Sequence, residues 1–300
     1  MSPREPDHPH LPLQENELHL WLAHYQQIDD LLLLSRLREL LSDAERTQET
    51  VFHFADDRLR YLVTRAMVRT VLSRYAGVAA ADWEFALNAY GRPEIAARHG
   101  VHGLHFNLSH TRGLIALAVS RKRAVGVDVE HIGEREPPID IADHFFAPAE
   151  VAALAALPEQ SRGGRFFEYW TFKESYIKAR GMGLSLPLDR FSFHFHGEQV
   201  VSLSAEAGID DDPQRWHFWQ CRPTPHYLLA LCAESLGGPA PQISVRQVVP
   251  LAGESRVDMA WLKTSAQPLI GTRAPGVSPV RATPSIPEPP PAGSGRPPPE

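Results

Sequence analysis

Trp170-Thr-Phe-Lys-Glu-Ser-Tyr-Ile-Lys-Ala-Arg-Gly-Met-Gly183 has the spacing of a helix that ends on glycine. Phe166, Trp170, Lys173 and Ile177 fall three or four residues apart and share one side, while Trp170, Glu174 and Lys178 form a neighbouring stripe. Gly181 and Gly183 stop the helix, because glycine tolerates the left-handed turn on which helices often close. The second stripe sets the Glu174 carboxylate one turn ahead of the Lys178 ammonium. On an open surface such a pair is routine and adds about 0.2–0.5 kcal/mol. A second acidic pair, on an earlier strand, gives it another reading.

That strand is Ala124-Val-Gly-Val-Asp-Val-Glu-His131. Val125, Val127 and Val129 point one way; Gly126, Asp128 and Glu130 point the other. Two carboxylates then stand roughly 6–7 Å apart along one face. They repel unless a cation joins them; the alternative is a solvent-facing strand side with incidental acids. Taken with Glu174, they offer three oxygen ligands and no nearby cysteine, which suits a hard cation such as Mg²⁺. Lys173, Lys178, His110, Arg92 and Arg60 are candidate anion partners around them. Carboxylates mixed with cations are what phosphoryl chemistry needs: a metal neutralises the transferring group, and Lys or Arg clamps the rest. No Gly-x-x-x-x-Gly-Lys-Ser/Thr loop is present.

Outward from this pair, the chain reads as strands and helices in two batches. Leu18–Leu22 alternates as a strand, Ile28–Leu41 is a helix, and Ser42-Asp-Ala-Glu45 caps another. Asp56–Tyr75 is a long amphipathic helix studded with arginines. Strands follow at Trp83–Leu87, His105–His110 and Leu114–Ser120, with turns at Gly91-Arg-Pro93 and Thr111-Arg-Gly113. Beyond residue 125, a loop and helix over Ile139–Leu157 are separated by Gly163-Gly164 from the helix quoted first. Strands then run over Phe191–Phe195, Val200–Leu203, Trp216–Cys221, Tyr227–Cys232 and Ile243–Val249. His194 and His196 read as a strand's polar face, and Trp170 and Phe172 as core. The expected fold class is α+β, with two similar α/β halves at 16–124 and 125–249. A flexible N-terminus covers 1–15. A Pro-rich tail covers 250–300, whose composition cannot bury enough apolar area to offset its chain entropy.

A 300-residue chain that is 43% hydrophobic has room for a real core. Its net charge of -6 gives no nucleic-acid signature. Cys221 and Cys232 read as free buried thiols without metal-ligand spacing. The start lacks the apolar segment of a signal peptide, and no apolar run approaches the ~20 residues of a membrane span. A cytoplasmic protein with no membrane partner is expected.

The strand Gly126-Val-Asp-Val-Glu130 followed by Trp170–Gly183 resembles the paired signature of the 4′-phosphopantetheinyl transferases, in particular their Sfp-type (surfactin-synthetase-activating) branch. Phe106-Asn-Leu-Ser-His110, Gly91-Arg-Pro93 and Leu184-Ser-Leu-Pro-Leu188 resemble further family motifs, so the likeness covers roughly residues 40–235. It implies two pseudo-symmetric halves with the active site between them. It also implies a reaction: coenzyme A donates its phosphopantetheine arm to a serine of an apo acyl or peptidyl carrier protein, releasing adenosine 3′,5′-bisphosphate. By this resemblance Asp128, Glu130 and Glu174 hold Mg²⁺, and Glu174 also accepts the serine proton. Lys178 neutralises the pyrophosphate, with Lys173 nearby. Ser109 and His110 contact coenzyme A phosphates, Arg92 the adenine or 3′-phosphate end, and Arg60 the 3′-phosphate. Of the basic residues that the family often carries after the Ser42-type helix start, only Arg46 is present. Phe145 and Phe146 are the apolar candidates for carrier docking. A monomer is expected, since the two halves form a cleft within one chain. The competing reading is a non-catalytic carrier-protein or nucleotide-binding module on the same scaffold, which predicts losses in the metal set.

Overall fold

The structure, a computed structural model, describes residues 10–133 and 139–265, apart from the side chain of Leu184. In β1 (Glu17–Ala23) all residues from Leu18 onward are buried, so both faces of the strand are covered. One face packs on helices. Asp30 caps α1 (Leu31–Glu39) by accepting from the N–H groups of Leu32 and Leu33. Ser42 and Glu45 close a capping box on α2 (Asp43–Val51), satisfying two amides that a helix start leaves bare. In α3 (Ala55–Leu72) Leu62, Val63, Ala66, Met67 and Val71 share a core with Trp21, Ile115 and Leu117. Arg69 of that helix is buried too, paired with the capping acid Glu45 at 2.6 Å.

A small hairpin, β2 (Phe85–Leu87) and β3 (Pro93–Ile95), precedes the antiparallel pair β4 (Leu104–Thr111) and β5 (Leu114–Arg121). The chain then enters β6 (Val125–His131), α4 (Ala142–Phe145), α5 (Pro148–Ala155) and the long α6 (Glu159–Arg180). The strands β7 (Phe191–His196), β8 (Val200–Ala205), β9 (Trp216–Cys221) and β10 (Tyr227–Glu234) follow. The last three are β11 (Gln242–Val249), β12 (Gly253–Val257) and β13 (Trp261–Thr264). Two large sheets result, ordered β12-β11-β1-β5-β4 and β6-β10-β9-β13-β8-β7. Leu18, Leu20, Leu114, Ala116, Val125, Val127, Val129, Leu229 and Leu231 fill the space between them. Each sheet carries its own helices on its other face. This is the expected α+β architecture of two sheet-rich halves.

The boundaries differ from those read in the sequence. Leu13 is buried and Leu11 N–H bonds the Arg74 carbonyl at 2.7 Å, so residues 10–15 are anchored rather than loose. Residues 1–9 lie outside the described residues. Gly163 and Gly164 do not break a helix; α6 runs through both. Each glycine costs about 1 kcal/mol there, and burial of Phe166, Phe167 and Tyr169 just beyond them outweighs it. β11 does not finish the second sheet but pairs in parallel with β1 of the first. The stretch after residue 250 is structured as far as 265: β12 pairs with β11, and β13 slots between β9 and β8. Lys263 of β13 reaches Glu168 of α6 at 3.0 Å. The two strands are only five and four residues long and precede the proline-rich stretch, so the composition of residues 250–300 taken as a whole conceals them. The rest of the expected tail, 266–300, lies outside the described residues.

Gly126 brings the two parts of the motif together. A Cβ at this position would stand 2.5 Å from Ala179 N and closer still to the Ser175 carbonyl oxygen, both backbone atoms of α6. Only a residue without a side chain lets α6 lie this near to β6. Gly126→Ala must push the helix outward, with an expected loss of about 1–3 kcal/mol. A thermal melt checks this: a variant that melts with the unmodified protein would refute the close approach.

Candidate active site

The close approach points Asp128 of β6 and the Glu174–Lys178 stripe of α6 at each other. Asp128 is 4% exposed. Its Oδ1 accepts from Lys178 Nζ at 2.7 Å and from Ser109 Oγ, on β4, at 3.1 Å. The Ser109 hydroxyl also accepts from Lys178 Nζ at 3.0 Å and from Val129 N–H at 3.3 Å. One donor and two acceptor positions are all a hydroxyl has. Ser109 is therefore committed to the protein, not presented to a coenzyme A phosphate as the resemblance implied.

Glu174 is the electrostatic complement of this cluster. Burial and, after it, the negative charge of Asp128 raise its pKa from 4.5 to about 6, with Lys178 only partly offsetting them. Glu130 lies two residues beyond Asp128 on the same strand face and is partly exposed. Among the described residues no group of three or more His, Cys, Asp or Glu side chains is arranged to hold a metal ion. In this arrangement the Lys178 ammonium balances the charge of Asp128. The donor chemistry nevertheless fits magnesium. Asp128 Oδ2 is buried with no hydrogen-bond partner, and the carboxyl of Glu174 is coupled to it by charge. Both are hard oxygen donors.

Further out, His110 lies exposed one residue before the end of β4. Partial desolvation lowers its pKa, and the positive charges of Arg60 and Lys178 lower it further. These three groups therefore sense one another across the same side of the site. Arg60 is partly buried and bonded to Asp57 at 2.6 Å.

Two expected ligands are placed elsewhere. Arg92 Nη1 donates to the carbonyls of Lys178 and Ala179, both at 3.1 Å. With Asn88 donating to the Gly181 carbonyl at 2.9 Å, it pins the β2–β3 hairpin to the C-terminal end of α6, where a helix attracts cations. Lys173 is 0% exposed. Its ammonium is held by Glu150 Oε2 and by the carbonyls of Leu188 and Phe191, each at 2.7 Å. All three of its protons are used inside the core, so Lys173 is no coenzyme A ligand. Phe146 is also core, at 1% exposure among Phe166 and Tyr169. It is unavailable for carrier docking, while Phe145 is partly buried against Trp170.

Three further residues belong to these arrangements without being singled out by sequence: Glu150, the buried partner of Lys173, and Asn107 and Thr111, two residues to either side of Ser109. A signal for the latter was present: Asn107, Ser109 and Thr111 alternate along one face of the strand.

Both halves of the chain are similar to known proteins. Residues 124–232 match the family model described as the 4′-phosphopantetheinyl transferase superfamily, and residues 31–122 match the N-terminal model of a 4′-phosphopantetheinyl transferase. The chain is 34% identical over 180 residues to the 4′-phosphopantetheinyl transferase HetI of Nostoc sp., covering 60% of this chain and 75% of that one. A 4′-phosphopantetheinyl transferase of Bacillus subtilis is 34% identical over 58% of this chain and 75% of its own length. The Sfp enzyme of the same species is 30% identical over 66% of this chain and 84% of its own. Asp128, Glu174 and Lys178 lie within the first matched segment, and Ser109 within the second. With identities of this size spanning three quarters or more of each relative, the chain belongs to the 4′-phosphopantetheinyl transferases.

Proposed function

We propose that this enzyme transfers the phosphopantetheine arm of coenzyme A to a serine hydroxyl of an apo acyl or peptidyl carrier protein, with Mg²⁺, releasing adenosine 3′,5′-bisphosphate. The observation that carries this reading is the meeting of Asp128, Glu174 and Lys178 where β6 faces α6, with one buried Asp128 oxygen unbonded. Asp128, Glu130 and Glu174 would hold the magnesium. When bound, that ion supplies charge neutralisation at the pyrophosphate and orients its oxygens. Lys178 adds a cation on the same side, and its reach to Asp128 and Ser109 keeps the ammonium pointed inward. His110 and Arg60 would meet the phosphates of the adenosine end, where Arg60 brings a permanent positive charge.

The carrier serine is the nucleophile. Its oxygen forms the new bond to the β-phosphorus, and the bond from that phosphorus to the bridging oxygen of the leaving nucleotide breaks. Glu174 takes the serine proton, directly or through a water. A carboxyl raised to about 6 is ionised at neutral pH and still more basic than an ordinary glutamate.

The test mixes the purified protein with an apo carrier protein, coenzyme A and Mg²⁺ and weighs the carrier by mass spectrometry. The expected result is a carrier heavier by one phosphopantetheine group, with modification lost in chelator and restored by Mg²⁺. A carrier of unchanged mass would overturn the proposal in favour of a non-catalytic binding module.

A further inference from the structure

The two large sheets come together at a pair of edge strands, β4 and β6. Among the described residues no backbone pairing joins them, yet three side chains of β4 bond three amides of β6 in strict order. Asn107 Oδ1 accepts from Val127 N–H at 2.8 Å, Ser109 Oγ from Val129 N–H at 3.3 Å, and Thr111 Oγ1 from His131 N–H at 3.2 Å. Each rung joins residues twenty apart in sequence, so the strands run parallel in fixed register. The two-residue period of one strand matches that of the other.

The ladder solves a local problem and has a consequence for the site. Alternate amides of β6 bond β10, and the remaining ones face the open edge. A buried amide without an acceptor is costly. The acceptors on β4 satisfy these amides in place of another strand. They also fix what lies between them. Asp128 sits between the anchored amides of Val127 and Val129, and Glu130 between those of Val129 and His131. Ser109, the middle rung, bonds the Asp128 side chain as well. A slip of one rung would carry Asp128 roughly 6–7 Å along the strand, out of reach of Lys178.

We propose that Asn107 and Thr111 are positioning residues of the transfer reaction: together with Ser109 they lock β6 in the register that presents Asp128 and Glu130 to α6. This rests on the proposed function. Neither residue would touch coenzyme A or the carrier.

The experiment uses the full chain with isosteric pairs. Thr111→Val and Asn107→Leu remove the acceptor at nearly constant shape; Thr111→Ser and Asn107→Asp keep an oxygen in place. The removing variants should lower kcat by on the order of 10- to 100-fold, leave the KM for coenzyme A within about twofold, and raise the Mg²⁺ concentration needed for half-maximal rate. Thr111→Ser should restore most of kcat. Amide hydrogen exchange supplies the readout without turnover: His131 N–H should be protected in the unmodified protein and in Thr111→Ser, and should exchange faster in Thr111→Val. The proposal is overturned if Thr111→Val and Asn107→Leu keep kcat within twofold, or if Thr111→Ser is as slow as Thr111→Val. It is equally overturned if kcat and coenzyme A affinity fall together in proportion to the fraction unfolded. Should the unmodified protein fail to alter a carrier, the proposed function fails, and the exchange rates still decide whether the ladder holds β6.

Discussion

Glu174→Gln is expected to yield a protein that is nearly inactive and, in chelator at pH 7.5, more stable than the unmodified one. On the proposed function, the change removes a magnesium-holding oxygen and a proton acceptor together, and the activity loss should reach about 10²–10⁴-fold. The gain in stability follows from linkage. The ordinary pKa of Glu174 is 4.5 and its folded value is about 6, so folding disfavours the charged form. Below pH 4.5 both folded and unfolded chains carry the proton and nothing is lost. Between 4.5 and 6 the unfolded chain ionises first, and the penalty grows. Above 6 it is complete, at about 2 kcal/mol for a shift of this size. Glutamine is neutral throughout. The variant should therefore match the unmodified protein near pH 4.5 and exceed it at pH 7.5. Melts in EDTA at the two pH values, alongside the carrier mass assay, check both parts. A variant retaining more than a tenth of the activity would refute the role given to Glu174. A variant less stable at pH 7.5 would refute the buried, repelled carboxylate.

Lys173→Met is the second large effect, and it falls on stability. The change removes the cation from a pair in which both members are almost wholly buried. Glu150 keeps its bonds from Ala147 N–H and Phe193 N–H, but its charge loses its counterion, and the carbonyls of Leu188 and Phe191 lose their donor. Breaking a buried pair on one side costs about 3–5 kcal/mol. Burial already pushes the Glu150 pKa up, and Lys173, ahead of the amides of Phe193 and Ala147, holds it back. Without Lys173 the carboxyl takes a proton more readily, so the deficit should shrink as pH falls. Urea unfolding at pH 5 and pH 8 measures this, and Glu150→Gln in the same chain should recover part of the loss. The folded fraction should keep its KM for coenzyme A, because Lys173 does not face the site. A raised KM with unaltered stability would return Lys173 to the ligand set.

Lys173 also shows how far a sequence carries. Its helical stripe, shared with Phe166 and Ile177, points into the core, whereas the stripe of Glu174 and Lys178 points at the site. That separation is written in the 3.6-residue period. What the period does not contain is Glu150, which lies on another helix and makes a buried ammonium tolerable. Arg92 is a parallel case. The Gly91-Arg-Pro93 turn was legible, but the guanidinium goes to the end of α6, because folding brings the carbonyls of Lys178 and Ala179 beside it. The strand Ile243–Val249 was legible from its residues; its sheet was not, because pairing with β1 joins the two ends of the domain. The ladder of Asn107, Ser109 and Thr111 was visible only as alternation, with nothing to say that β6 would lie alongside.

The sequence by itself determined the periods, the caps, the glycine at position 126 and the paired acidic motif, and with them the family. Those features depend on backbone geometry within a few residues, where neighbours in the chain are neighbours in space. The tertiary structure alone decided which charges meet: Lys178 with Asp128, Lys173 with Glu150, Arg92 with a helix end. The partner of a polar side chain is set by where distant segments pack, and in a low-dielectric interior that partner decides whether a charge is a ligand or a brace.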